Sequence, residues 1–236
     1  GLFAMVATAH MHKHGTTEKQ MAQVAVKNHH NGSLNPKAHI QKEITLQDAL
    51  TSRVVAWPLK LYDCSLITDG ASTIILTKPE LAKKYTDTPV NITGTGQASD
   101  TIGLYERENL TSLAAGKLAG EEAYKMAGIS PNDIDVAEVH DCFTITGILA
   151  VEAAGFAEYG KGASLVESGK TRIDGEIPTN PGGGLIGFGH YVGGTGVRQA
   201  VDCIHELTGK ANGYQVKISP NRPYALMISM GGNDKT

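Results

Sequence analysis

At 236 residues and a formal charge of −3, the chain is long enough to bury a sizeable core, in one domain or in two small ones. No more than two Lys or Arg stand together and no apolar run approaches the ~20 residues of a membrane span, so nucleic-acid and membrane roles find no support. Three cysteines, odd in number and in no metal-ligand spacing, fit a reducing, cytoplasmic compartment.

The first predicted element is a helix over residues 2–14, with Leu2, Phe3, Val6 and Ala9 at helical spacing and Gly15 placed to end it. Thr17 with Gln20 forms a capping box for a second helix to about His30, and Asn31-Gly32-Ser33 with Asn35-Pro36 then reads as a loop. A short helix over 46–52 follows. Asp69-Gly70 leads into residues 71–77, a β-branched, mostly apolar run that predicts a buried strand. The polar, proline-containing stretch 86–89 is the best domain boundary. Residues 90–97 predict a further strand, ending in Gly94-Thr95-Gly96.

Leu110, Leu113, Ala114, Leu118, Ala123 and Met126 share one face of a predicted helix that Gly128 stops. Ser130-Pro131-Asn132-Asp133 carries the signals of a short helix start. A strand over 136–139, a helix over 144–154 and, after a long glycine-rich loop, a strand over 224–230 complete the order. Strands alternating with helices predict a layered α/β domain.

Two stretches carry chemistry. Pro178 to Arg198 sets eight glycines around His190 and leads into an amphipathic run to Leu207. Glycine allows φ > 0 and close backbone approach, so this is a tight loop holding an imidazole near a ligand. The helix opening at Gly193-Gly194-Thr195-Gly196 offers free N–H groups that suit developing negative charge. Neither P-loop nor dinucleotide-binding spacing is present. The second stretch, His140-Asp141-Cys142-Phe143, falls at a strand-to-helix junction, where a thiolate is favoured. That placement predicts a Cys142 pKa moved towards neutrality, as a general acid/base requires. Taken one by one, His140 could cap a strand, Cys142 be a small buried hydrophobe, and His190 fill a loop.

Together the box, Gly189-His190-Tyr191 downstream, and Met230-Gly231-Gly232-Asn233 resemble the thiolase superfamily. Within it they resemble the sterol-carrier-protein-type and archaeal acetyl-CoA acetyltransferases, whose His-Asp-Cys-Phe box replaces Asn-Glu-Ala-Phe. The resemblance implies a thiolase-like layered α/β/α fold. Residues 1–68 would be the remainder of a loop domain covering coenzyme A, 69–88 the end of the N-terminal domain, and 89–236 the C-terminal domain. It implies reversible Claisen condensation of acyl-CoA thioesters, with coenzyme A as substrate and carrier and with no metal or other cofactor.

By the same resemblance His190 activates a nucleophilic cysteine, His140 holds the thioester oxygen, and Cys142 replaces a C-terminal cysteine that this sequence lacks. Backbone N–H groups at Gly231 or Gly232 would complete an oxyanion hole, and Ser65 would contact pantetheine. The nucleophile itself belongs to the family's N-terminal half, which this chain does not match. Expected partners are a second copy, as dimer or tetramer, and a hydroxymethylglutaryl-CoA synthase with a small zinc-ribbon/OB-fold scaffold protein.

One departure is Tyr191, where the family carries proline. It keeps open a retro-aldolase acting on CoA thioesters, and a non-catalytic acyl-CoA-binding or scaffolding subunit is the third reading. Cys64 reads as structural. His10, His12 and His14 lack the Glu or Cys that a metal site needs, and His29, His30 and His205 read as surface residues. Lys13, Lys27 and Arg53 are cations that could meet CoA phosphates, though nothing in the sequence selects them.

Overall fold

A computed structural model describes residues 1–221, 223–232, 234 and 236. Helix α1 (Leu2–His14) ends at Gly15 in the left-handed region (φ 75°), whose N–H donates to the Met11 carbonyl. Helix α2 (Glu18–Leu34) starts on the expected box: the Thr17 hydroxyl accepts from the Gln20 N–H, and the Gln20 side chain accepts from the Thr17 N–H. It runs past His30 because the turn residues beyond are held by tertiary contacts. Asn31 is buried and donates to the Asn180 carbonyl at 2.9 Å, and a Cβ on Gly32 would stand 3.4 Å from the Gly187 backbone. Packing overrides the local turn preference there.

Helix α3 (Leu46–Thr51) is followed by an antiparallel pair, β1 (Val54–Ala56) and β2 (Leu59–Lys60), and by the four-residue helix α4 (Pro79–Ala82). Among the described residues, neither 71–77 nor 90–97 forms a named strand. Ile75 and Leu76 are exposed, where burial was expected, and Ile92 is exposed as well; among the described residues no strand pairs with either run. The glycines of the second run instead touch helix α5 (Ala114–Ala127): a Cβ on Gly94 would lie 2.1 Å from the Ala123 carbonyl oxygen, and one on Gly96 1.9 Å from that of Ala119. This close approach selects the face of α5 that is covered. Ala115, Gly116, Ala119, Gly120 and Tyr124 are buried, whereas Leu118 and Met126, expected inside, are exposed.

Residues 131–133 make a single 3-10 turn rather than an α-helix, capped by Asp133 on the Ser130 N–H at 2.7 Å. Strand β3 (Val136–Val139) is buried at all four positions and leads through the box into α6 (Thr144–Ala153). Ile145, Ile148 and Ala150 are fully buried and Leu149 and Val151 nearly so, so α6 is apolar all round and forms the centre of the core. Helices α7 (Gly162–Glu167) and α8 (Gly184–Gly187) lie against α6 and α2. Helix α9 (Thr195–Leu207) covers β3 and β4 (Ala225–Ile228), which pair in parallel with Val136 opposite Ala225 and Val139 opposite Ile228.

Helices therefore enclose a short parallel sheet on both sides, the layered α/β arrangement expected. No helix of the described residues is long and apolar enough to cross a membrane. His29 is a correction: it is buried, with its ring edge-on to Tyr62 at 5.3 Å.

Candidate active site

The box is placed by β3 and fixed from below by Asn180. The Asn180 side chain accepts from the Val139 N–H at 2.7 Å and donates to the Val139 carbonyl at 3.1 Å, so one residue in the left-handed region (φ 54°) serves as a strand neighbour. Asp141 is fully buried. Its carboxylate accepts from the Leu185 N–H at 2.7 Å, the Ile186 N–H at 3.4 Å and the Asn28 side-chain amide at 2.5 Å. Box, glycine-rich loop and α2 are thus tied at one carboxylate. Gly184 (φ 61°) is required for this, since a Cβ there would come 2.5 Å from an Asp141 oxygen.

His140 is buried, and its Nδ1 accepts from the Met230 N–H at 3.2 Å. Burial, then the neighbouring His190 and Arg198, push its pKa down to about 3. The ring is therefore neutral with its proton on Nε2, a fixed hydrogen-bond donor. Its neighbour His190 is half-buried, with Nδ1 2.8 Å from the Thr195 hydroxyl. That hydroxyl has one proton, and the Tyr191 carbonyl accepts it at 3.2 Å. Thr195 then receives the proton of His190 Nδ1, and the free lone pair lies on Nε2. Burial, with Arg198 adding to it, also holds the His190 pKa below its ordinary value. The two rings are perpendicular, 5.3 Å between centroids.

Cys142 departs from expectation. It does begin at the foot of α6, but only 7% of it is exposed, and burial pushes its thiol up to about 12. Desolvation outweighs the helix start. Thr146 accepts from the Phe143 N–H at 3.0 Å and donates to the Phe143 carbonyl at 2.6 Å, so the thiol at 3.6 Å must be the donor in the contact with Thr146. Cys142 rests as a protonated thiol.

Residues 64–67 run beside both motifs. Cys64 bridges Phe143, the Ser65 N–H donates to the Cys142 carbonyl at 2.9 Å, and Ile67 bridges His190. Ser65 thus touches the box through its backbone. Gly189 (φ 119°) leaves room for Thr68, whose hydroxyl a Cβ would meet at 2.6 Å. Gly231 and Gly232 are exposed just beyond Met230, and Asn233 of that motif lies outside the described residues.

Tyr191 neither loosens the loop nor leaves its phenol free. Its ring is wedged between Gly70 and Gly194, where a Cβ would stand 2.8 and 2.4 Å from ring carbons, and its hydroxyl meets that of Ser72 at 2.5 Å. Residues 68–72 and 191–194 line a cleft of about 450 Å3 there.

Beneath the loop lies a buried charge cluster that sequence reasoning missed. Arg198 donates to Glu138 at 3.2 Å, pairs with Asp202, and stacks over the Phe188 ring at 4.8 Å. Burial pushes Glu138 up to about 8 against the pull of Arg198. The helical spacing of Arg198 and Asp202 and the strand carrying Glu138 were readable; the packing of that strand against α9, which brings Glu138 to them, was not.

A neutral donor and a protonated thiol where β3 meets α6, with a neutral acceptor whose ring centroid stands 5.3 Å from that of His140, define a candidate acid–base site. The family model described as thiolase C-terminal domain-like matches residues 96–235, and the chain belongs to that family. It is 49% identical over 216 residues to the acetyl-CoA acetyltransferase of Methanothermobacter thermautotrophicus, covering 92% of this chain and 56% of that protein. It is 34% identical over 235 residues to sterol carrier protein 2 of Oryctolagus cuniculus, covering 98% and 42%. Among solved structures, the Ltp2-ChsH2(DUF35) aldolase superposes with a TM-score of 0.82 at 29% identity, covering 90% of this chain and 56% of that one. The chain spans about half the length of these relatives.

Proposed function

We propose that this chain is the acid–base half of an acetyl-CoA C-acetyltransferase, an acetoacetyl-CoA thiolase. The observation that carries the reading is the perpendicular pair of neutral imidazoles, His140 and His190, with the protonated thiol of Cys142 two residues along the chain from His140, since the three groups match the three proton tasks of the reaction. His190 Nε2 takes the proton of a nucleophilic thiol, and the thiolate attacks the 3-keto carbonyl of acetoacetyl-CoA. The bond between that carbonyl carbon and the methylene carbon C2 breaks: the acetyl group stays on the nucleophile as a thioester, and the bonding electrons pass into the enolate of acetyl-CoA. His140 Nε2–H donates to the enolate oxygen. Cys142 gives its proton to the enolate carbon, which releases acetyl-CoA. Free coenzyme A then takes the acyl group from the thioester as a second acetyl-CoA. Condensation is the reverse.

The acyl-accepting thiol comes, on this reading, from polypeptide outside the 236 residues. Cys64 donates to the Lys60 carbonyl at 3.3 Å and Cys203 to that of Leu226 at 3.7 Å, so neither is assigned the role. Coenzyme A is substrate and carrier, and Ser65, backed onto Cys142, is the candidate pantetheine contact. The reading calls for no metal or redox cofactor. It includes the division into residues 1–68, 69–88 and 89–236, a cytoplasmic location, and assembly as dimer or tetramer. A zinc-ribbon/OB-fold scaffold and a hydroxymethylglutaryl-CoA synthase stay among the expected partners. The similar aldolase is named as a pairing of Ltp2 with ChsH2(DUF35), which supports a partner of the scaffold kind.

The test is thiolysis of acetoacetyl-CoA by the full-length polypeptide carrying this sequence. Loss on the order of 10²–10³-fold in kcat is expected for His140→Ala. Undiminished activity in both His140→Ala and His190→Ala would sink the reading. The retro-aldolase is the second reading, favoured by the 0.82 superposition and by Tyr191 lining the cleft. A Cys142-independent, Tyr191-dependent cleavage of a hydroxyacyl-CoA would select it.

A further inference from the structure

The reaction proposed above uses no residue of α2, yet Lys27 sends its ammonium into the site's foundations. Nζ donates to the Asn28 side-chain oxygen at 2.6 Å and to the Thr179 carbonyl at 2.6 Å. An ammonium has donors only, so the Asn28 atom facing it must be Oδ1. The Asn28 amide nitrogen is thereby turned to Asp141, to which it donates at 2.5 Å. Asp141 in turn accepts from the Leu185 and Ile186 N–H groups, at the head of the α8 turn that leads through Phe188 and Gly189 to His190. It also sits between His140 and Cys142 in the chain.

We propose that Lys27 is a positioning residue for His140 and His190, fixing the orientation of Asn28 and, through it, the carboxylate that locks the box to the histidine loop. Without the ammonium, the Asn28 amide is held only at its nitrogen end, by Asp141, and its Oδ1 loses the donor that it shares with the Thr179 carbonyl. The charges facing Lys27 are Asp141 and Glu138, and those facing Asp141 are Lys27 and Arg198. Burial of the ammonium, opposed by the two carboxylates, brings its pKa down to about 8, so mild alkali removes its charge and weakens the two contacts that a substitution by methionine would abolish.

The proposal rests on the thiolase reading only for its activity arm. In the full-length polypeptide, with 13C-labelled imidazoles and lysine side chains, NMR follows His140, His190 and Lys27 from pH 6 to 10. Both imidazole signals should move with the midpoint of the Lys27 ammonium signal. In Lys27→Met they should start displaced and show no such step, and Lys27→Arg should restore the wild-type positions. Thiolysis by Lys27→Met should fall on the order of 100-fold in kcat with KM little changed, as for a small misplacement of reacting groups. Imidazole signals indifferent to the Lys27 titration, or unmoved in a folded Lys27→Met protein, would overturn the proposal. If Lys27→Met does not fold, the wild-type titration decides alone. A protein inactive in thiolysis whose imidazoles still follow Lys27 would refute the function and leave this inference standing.

Discussion

The imidazoles of His140 and His190 stand perpendicular, their centroids 5.3 Å apart and their planes at 89°. One comes from the end of β3 and the other from a loop fifty residues on, and each has its outer nitrogen committed, to the Met230 N–H and to Thr195. Each ring keeps its Nε2 uncommitted to these contacts, one as an N–H donor and the other as a lone pair.

Because burial holds His140 neutral, protonating it costs folding free energy. The sign follows from the shift: the folded pKa of about 3 lies below the unfolded value of 6.5, so the unfolded chain binds the proton first. Stability is unaffected above pH 6.5 and falls as pH drops from there towards 3. Urea midpoints measured across that range should decline less steeply for His140→Gln than for the parent. Parallel declines would show that His140 is not the group responsible.

Cys142 should resist alkylation. With a thiol at about 12, thiolate at pH 8 is on the order of one part in ten thousand, against a large fraction for a free cysteine. Iodoacetamide followed by peptide mass analysis measures this. Labelling of Cys142 as fast as a free thiol would mean that a thiolate is already present.

Gly184→Ala should unsettle both fold and site. The new Cβ would stand 2.5 Å from Asp141, in a backbone region that side chains rarely adopt. A loss of roughly 1–3 kcal/mol is expected in denaturant unfolding, together with weakened thiolysis. Gly193→Ala, where a Cβ meets nothing within 4 Å, serves as the control.

Tyr191→Phe separates the two enzyme readings. It removes a hydroxyl bound to Ser72 at 2.5 Å but keeps the wedge between Gly70 and Gly194. A stability cost of about 1 kcal/mol with thiolysis within a few-fold of the parent is expected. A collapse of activity with the fold intact would point to phenol chemistry and so to the aldolase.

Much of this was open to local reading. The Thr17 box, the Gly15 and Gly128 stops, strand β3 and helix α6 rest on neighbours within a few residues, and they appear where the sequence put them. The His-Asp-Cys-Phe box and the glycine-set histidine were likewise legible as motifs, because glycine and proline advertise backbone needs directly. Residues 71–77 were misjudged as a buried strand and 90–97 as a strand, since β-branched composition reports a preference for pairing and says nothing of whether a partner strand is there. The covered face of α5 was misjudged for a related reason: small residues, which admit a neighbouring backbone, won over the larger apolar ones.

The sequence by itself determined the inventory of the site: two histidines, a thiol, and the glycines that let backbone come close. Only the tertiary structure decided their states. Neutral His140, protonated Cys142 and the Lys27–Asn28–Asp141 link all depend on desolvation and on contacts between residues far apart in sequence. A protonation state is set by what surrounds a group in space, and no local pattern encodes that.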